Sequence, residues 1–108
     1  MAAVNINTEQ FHELRKGNKP VLVDYWAPWC SYCRRITTAY DKIAQQFADV
    51  VEVVKINIDD EAALAEQEAI EVIPTLVIYR EGKALASIVA PESKAVIENF
   101  LRENLGML

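Results

Sequence analysis

The chain is poor in the residues that build cross-linked or metal-bound frameworks. It has two cysteines and one histidine among 108 residues. Two cysteines cannot form a disulfide framework, and structural zinc sites use about four ligands. A bridge from Cys30 to Cys33 would close a loop too short to add much stability. An iron–sulfur cluster shared between two chains would need a further source of thiols. We therefore expect no bound metal, and redox chemistry is the leading interpretation of this pair.

The sequence also lacks a long apolar run and an excess of positive charge. No window approaches the ~18 apolar residues of a membrane span. The segment Met1–Asn5 has no basic stretch followed by an apolar run, so no secretory signal is expected. The net charge of −5 disfavours a general nucleic-acid binder and docking on anionic lipid. These absences predict a cytoplasmic protein that binds neither membrane nor nucleic acid.

Glycine and proline are scarce as well, with three and four residues, and no linker divides the chain. The length predicts one domain, residues 1–108. Apolar patterns predict strands at 21–26, 51–58, 75–79 and 83–89, and helices at 8–16, from the cysteines to about 47, from Asp59 or Asp60 to about 68, and at 92–105. Strand–helix–strand units favour parallel pairing, and a turn at Glu81–Gly82 adds a hairpin. The expected fold is α/β, with a central mixed β-sheet flanked by helices on both faces.

Cys30 and Cys33 form a Cys-x-x-Cys motif at the predicted start of a helix. The first turn of a helix has unpaired N–H groups, whose partial positive charge favours a thiolate at Cys30. The thiolate is the reactive form of cysteine. Cys33 lies about one turn further along the same face, so that the two sulfurs can join and separate without backbone rearrangement.

Asp24 and Lys55 each interrupt an apolar strand. Burial of Asp24 would raise its pKa toward neutrality, and Lys55 would offset that effect only in part. The alternative for Asp24 is a carboxylate that faces solvent or accepts a capping hydrogen bond.

Four segments carry a resemblance to a known family. Val21–Cys30 closely resembles the active-site strand and loop of thioredoxins, and Lys55–Asp59 resembles the next strand of that family. Ile73–Leu76 resembles its cis-proline loop, and Glu81–Gly82 falls at its hairpin turn. The resemblance extends over nearly the whole chain, from about Asn5 to Leu105.

The resemblance implies a thiol–disulfide oxidoreductase that reduces protein disulfides and holds no bound cofactor. Cys30 would attack a substrate disulfide, and Cys33 would resolve the mixed disulfide, leaving a redox-active Cys30–Cys33 disulfide. The partners implied are disulfide-containing client proteins and an NADPH-dependent flavoprotein reductase that recycles the oxidised chain. We further expect a monomer.

The resemblance also assigns site residues. The predicted catalytic residues are Cys30, Cys33, Asp24 and Lys55, and the predicted substrate-binding residues are Trp29, Ser31, Tyr32, Ile73, Pro74 and Ala90. Asp24 would relay a proton for Cys33, with Lys55 near it. Trp29 would form an apolar rim for partners, and the backbone of Ile73, beside a cis Pro74, would pair with an extended substrate segment.

Three departures from the family alter these expectations. Ser31–Tyr32 replaces the usual Gly-Pro, which leaves the redox potential open. The N–H that Tyr32 restores predicts a better-stabilised thiolate and a more oxidising protein. Thr38 replaces a kinking proline, which predicts a straighter helix, and Ala90 replaces a glycine and adds a Cβ where partners approach. The alternative functions are a more oxidising oxidase or isomerase, and a binding module in which the cysteines are incidental.

Overall fold

The computed structural model describes residues 2–107, so Met1 and Leu108, the two ends of the predicted domain, lie outside the described residues. The strands within this range are β1 (Val4–Asn5), β2 (Val21–Trp26), β3 (Glu52–Asn57), β4 (Thr75–Arg80) and β5 (Lys83–Val89). The helices are α1 (Thr8–Arg15), α2 (Ser31–Arg35), α3 (Thr37–Gln46), α4 (Ala62–Gln67) and α5 (Lys94–Leu105). The strands form one mixed sheet in the order β1-β3-β2-β4-β5. The expected α/β architecture is therefore confirmed.

Pairing in the sheet follows the prediction for the hairpin β4–β5 and for the unit β2–helix–β3, but the strand after α4 does not run parallel to β3 as a strand–helix–strand unit predicts. Strand β3 lies parallel to both β1 and β2, while β4 lies antiparallel to β2 and β5. Strand β2 is central, with β3 on one side and β4 on the other. A central strand is covered on both faces, which explains the nearly continuous apolar run from Val21 to Trp26.

The two faces of β2 belong to two separate parts of the core. Leu22 packs in a cluster with residues of α3 and α5, whereas Val23 and Tyr25 pack with residues of α1 and α4. Successive side chains of a strand point to opposite faces, so Asp24 lies on the face of Leu22. This is also the face on which α2 and α3 lie, and the packing therefore brings Asp24 to the layer that contains Cys33.

A buried tyrosine fixes this helical layer to the sheet. The Tyr40 hydroxyl of α3 is fully buried and lies 2.7 Å from the carbonyl oxygen of Val54 and 3.1 Å from that of Leu22, so that its one hydrogen is donated between two carbonyl oxygens. These two carbonyls belong to β2 and β3. The bonds set where α3 sits on the sheet, and α2 precedes α3 directly in the chain.

The prediction of a single helix after the cysteines is wrong. The helical segment is broken at Ile36, which separates α2 from α3. Without a proline at Thr38, a straighter helix was expected. However, the Thr37 hydroxyl donates to the carbonyl oxygen of Cys33 at 3.3 Å. A threonine side chain that bonds back to the preceding turn competes with the backbone ladder and bends a helix. Thr37 thus accounts for a break that the proline pattern did not predict.

Two smaller expectations also differ from the structure. Strand β1 was not predicted, since two residues are too short for a recognisable pattern. The residue that caps α4 is Glu61, rather than Asp59 or Asp60, and its side chain makes no capping hydrogen bond. The sequence Asn7–Gln10 forms a capping box at the start of α1. The Asn7 side chain accepts from the Gln10 N–H at 2.9 Å, and the Gln10 side chain accepts from the Asn7 N–H at 2.8 Å.

The hairpin turn offers a stabilising substitution. Glu81 and Gly82 connect β4 to β5 with φ angles of 54° and 78°, and two left-handed residues in a row define a type I′ turn. Glutamate is disfavoured in this region, whereas asparagine visits it readily. We expect Glu81→Asn to raise the free energy of unfolding by about 0.5–1 kcal/mol in urea titrations. Glu81→Gln is the control, because it removes the same charge without favouring the left-handed region. An equal gain in both variants would contradict the explanation.

Candidate active site

The two cysteines lie where β2 leads into α2. Cys30 occupies the N-cap position of α2, and its Sγ is bonded to the Sγ of Cys33, with the Cα atoms 5.2 Å apart. The Cys33 N–H donates to Cys30 Sγ at 3.1 Å. Both residues are buried, and Cys30, at 8% exposure, is more accessible than Cys33, at 3%. The sequence prediction of a redox-capable pair at a helix start is confirmed in its geometry.

The hydrogen bond at Cys30 differs from the one expected from Tyr32. The donor to Sγ is the N–H of Cys33, a group that every Cys-x-x-Cys motif has. The expectation of a more oxidising protein depended instead on the N–H of Tyr32. In the disulfide form, the observed donor therefore gives that expectation no support.

Asp24 is buried beneath this loop and is 1% exposed. Its Oδ1 has no hydrogen-bond partner. Burial raises the pKa of Asp24 from 3.8 to about 7, and the positive charge of Lys55 opposes this rise. The alternatives of a solvent-facing or capping carboxylate are thus wrong. The group can gain and lose a proton near neutral pH, as the sequence prediction requires.

Lys55 lies beside Asp24 because the two residues are register partners in the parallel pair β2–β3. Its Nζ sits 4.4 Å from the ring centroid of Trp26, in a cation–π contact. The Trp26 indole N–H in turn donates to Asn5 Oδ1 at 2.7 Å. Lys55 is thereby held near the carboxylate by an aromatic ring, and the expected proximity of Asp24 and Lys55 is confirmed.

Trp29 directly precedes Cys30 and is 65% exposed. Its indole N–H donates to both carboxylate oxygens of Asp59, at 3.0 Å and 3.2 Å. Sequence reasoning missed Asp59 as a site residue. A signal for it existed, because Asp59 follows β3 just as Trp29 follows β2, and parallel neighbours end at the same edge of a sheet. The bond holds an exposed apolar ring beside the cysteines.

The Ile73–Pro74 peptide bond is cis, as expected. The carbonyl oxygen of Pro74 accepts from the N–H of Ala90 at 2.9 Å, so the predicted substrate-binding residues Pro74 and Ala90 are neighbours. Ala90 has a φ of 45°, in the region that favours glycine. This explains physically why a glycine is expected there. Val72 and Val89, which flank these residues in the chain, are exposed apolar side chains.

The two residues between the cysteines have different surroundings. Ser31 is the exposed first residue of α2. Tyr32 is partly buried against the core, and its hydroxyl donates to the carbonyl oxygen of Pro91 at 3.1 Å. The predicted site residues thus lie on or next to the C-terminal parts of β2, β3 and β5 and the start of β4, which are neighbours in the sheet.

Among residues 2–107, no three His, Cys, Asp or Glu side chains form a group suited to a metal ion. No helix in the described part of the chain is long and apolar enough to cross a membrane.

Comparison with known proteins identifies the family. The family model for thioredoxin matches residues 2–103. Thioredoxin 1 of Synechococcus elongatus is 42% identical over 93 residues, which cover 86% of this chain and 87% of that protein. Thioredoxin of Haemophilus influenzae is 37% identical over 103 residues, covering 94% of this chain and 96% of its own length.

A solved structure agrees with these sequence matches. Oxidised mitochondrial thioredoxin 3 from Saccharomyces cerevisiae superposes with a TM-score of 0.82, at 23% identity and with 94% of each chain covered. At that identity the match shows the fold alone. The structure contains a disulfide between Cys30 and Cys33, which is the redox-active disulfide. The family model and the sequence relatives establish that the chain belongs to the thioredoxin family and is a thiol–disulfide oxidoreductase for disulfide-containing substrates.

Proposed function

We propose that the chain reduces protein disulfides, with Cys30 as nucleophile and Cys33 as resolving thiol. The observation that carries this assignment is the position of Cys30 at the start of α2, where it is the more exposed cysteine and its Sγ accepts the Cys33 N–H. A hydrogen bond to sulfur is stronger when the sulfur is ionised, so this donor favours a Cys30 thiolate.

The proposed reaction transfers two electrons from the chain to its substrate. The Cys30 thiolate attacks one sulfur of the substrate disulfide, and the other substrate sulfur leaves as a thiolate. Cys33 then loses its proton and attacks Cys30 Sγ. The Cys30–Cys33 bond forms, the mixed disulfide breaks, and the second substrate sulfur departs.

Asp24 is the proposed acceptor of the Cys33 proton. Its carboxylate is buried on the sheet face that carries α2, and its Oδ1 has no other partner. A pKa of about 7 lets it exchange a proton without a large free-energy cost in either direction. The positive charge of Lys55 favours the ionised form of Asp24, which is the form that accepts the proton.

The proposed substrate surface surrounds the cysteines. It comprises Trp29, Ser31, Tyr32, Ile73, Pro74 and Ala90. An extended segment of the client would pair with the backbone at Ile73, as in strand addition to a sheet edge. The exposed ring of Trp29 would cover the apolar part of the client beside its disulfide.

The proposal includes the setting in which the chain works. It acts as a single domain over residues 1–108, as a cytoplasmic monomer without bound cofactor or metal. An NADPH-dependent flavoprotein reductase returns the disulfide to the dithiol. The acidic balance of the sequence supports a protein that binds neither nucleic acid nor anionic membrane.

Trapping of a mixed disulfide tests the division of labour between the cysteines. We expect reduced Cys33→Ser to accumulate a stable covalent complex with insulin, because the thiol that would release the substrate is gone. Cys30→Ser is the matched control and should form little complex, since its remaining thiol is nearly buried. Non-reducing electrophoresis and mass spectrometry measure both. Equal accumulation by the two variants would contradict the assignment.

A further inference from the structure

Tyr32 connects the active-site helix to a distant part of the chain. Its hydroxyl donates to the carbonyl oxygen of Pro91, 59 residues further along, at 3.1 Å. Its ring packs against the core and lies below the guanidinium of Arg35, whose Cζ is 5.5 Å from the ring centroid. The ring is therefore held from two sides, and the hydroxyl is aimed at the loop after β5.

The loop that Tyr32 contacts is itself joined to the cis-proline segment. The N–H of Ala90 donates to the carbonyl oxygen of Pro74 at 2.9 Å. Two hydrogen bonds thus run in series from Tyr32 through the Ala90–Pro91 segment to Pro74. This path links the two sides of the proposed substrate surface, the cysteine loop and the cis-proline segment.

The Ala90–Pro91 segment needs such support. Ala90 has a φ of 45°, a conformation that is unfavourable for a residue with a Cβ. A backbone held in an unfavourable region persists only where surrounding contacts determine it. The Tyr32 hydroxyl and the Pro74 carbonyl supply contacts of that kind on either side of Ala90.

We propose that the Tyr32 hydroxyl is a positioning group that makes the chain selective for protein disulfides over small ones. It holds the Ala90–Pro91 segment in the place where an extended client chain lies against it and against Ile73. A client that binds to an ordered segment does not have to order it, which lowers the cost of binding. A small disulfide touches the sulfurs without needing this segment. The inference rests on the proposed reduction of protein disulfides.

Tyr32→Phe tests this role, because it removes the hydroxyl and keeps the ring and the backbone N–H beside the cysteines. With dithiothreitol as recycling reductant, we expect the insulin concentration at half-maximal rate to rise about three- to tenfold, the effect of one lost hydrogen bond. The half-saturating insulin concentration should change more than the maximal rate. With 5,5′-dithiobis(2-nitrobenzoate), added to pre-reduced protein without dithiothreitol because that dithiol reduces the reagent directly, the rate should fall less than the rate at sub-saturating insulin.

Two further measurements sharpen the test. Tyr25→Phe is the matched control, since it removes a buried phenol on the opposite face of the sheet and should leave the insulin dependence as in the parent protein. Hydrogen exchange of the Ala90 amide should become faster in Tyr32→Phe, because the segment loses one of its two restraints. This readout does not depend on turnover.

The outcomes separate the inference from the proposed function. A parent protein that reduces neither substrate, or only the small one, would overturn the proposed function. A parent protein that reduces both, with Tyr32→Phe unchanged or slowed equally on both, would overturn the positioning role alone. Unchanged exchange of the Ala90 amide would likewise overturn it.

Discussion

We expect the stability of Asp24→Asn relative to the parent protein to increase by about 3–4 kcal/mol as the pH rises from 4 to 8. Burial raises the pKa of Asp24 from 3.8 to about 7 in the folded chain. Between these values the folded state holds a proton that the unfolded state has lost. The free energy of unfolding therefore falls as pH rises from about 4 to about 7, and asparagine removes this dependence.

Urea titrations of the oxidised proteins at pH 4, 6 and 8 measure the effect. The difference in stability should be smallest at pH 4, where Asp24 is protonated in the folded state and only partly ionised in the unfolded state, and should grow as pH rises. Asp60→Asn is the control, since Asp60 is exposed and its replacement should leave the pH dependence of the parent protein. A constant difference between Asp24→Asn and the parent protein at all three pH values would contradict the raised pKa.

The same variant tests the proposed proton transfer. Asp24→Asn should slow release of the substrate from the mixed disulfide more than it slows the attack by Cys30. The reason is that only the second step needs a proton acceptor near Cys33. Equal slowing of both steps would leave Asp24 without this role. The opposite signs expected for stability and for activity fit a group that is kept for chemistry at a cost in stability.

A second large effect is expected on the opposite face of the sheet. The Tyr79 hydroxyl donates to Glu68 Oε1 at 2.9 Å and lies 2.7 Å from the hydroxyl of Tyr25. Because the one hydrogen of Tyr79 goes to Glu68, Tyr25 is the donor in the pair of hydroxyls. Glu68 also forms an ion pair of 3.5 Å with Arg15. Burial raises the pKa values of both tyrosines, that of Tyr25 to about 12, so both remain protonated.

Tyr79→Phe should lower the free energy of unfolding by about 2–3 kcal/mol, because it leaves the buried Tyr25 donor without an acceptor and takes a donor from Glu68. Tyr25→Phe is the matched control. It removes one donor and leaves the bond from Tyr79 to Glu68 intact, so its cost should be about 1 kcal/mol. Urea titration at pH 7 compares the two variants. Equal costs, or a larger cost for Tyr25→Phe, would contradict the assigned direction of the bond.

Features that depend on residues close together in the chain could be predicted from the sequence. A continuous apolar run such as Val21–Trp26 belongs to a strand with both faces covered, so the pattern predicts this strand, whereas the burial of Asp24 within it was only one of two alternatives. The cap formed by Asn7 and Gln10 is encoded within four consecutive positions, and the cysteine pair within another four. Interactions between residues this close in the sequence can be predicted without knowing the fold.

The helix break at Ile36 marks the limit of such local rules. The expectation considered only the missing proline at Thr38. In the structure, the break coincides with a hydrogen bond from the Thr37 hydroxyl to the Cys33 carbonyl oxygen. A threonine in a helix has more than one staggered position for its hydroxyl, and packing selects between them. The sequence contained the residue, but its effect depended on the surroundings.

Which side chains meet at the site depends on contacts between residues that are far apart in the chain. Trp29 and Asp59 are 30 residues apart, and Tyr32 and Pro91 are 59 apart. Asp24 faces Lys55 because of the register between β2 and β3, and a shift of one residue would place them on opposite faces. Periodicity within a segment determines which face of a strand or helix is buried. The partner on that face depends on register and on the path of loops, which follow from the packing of the whole core.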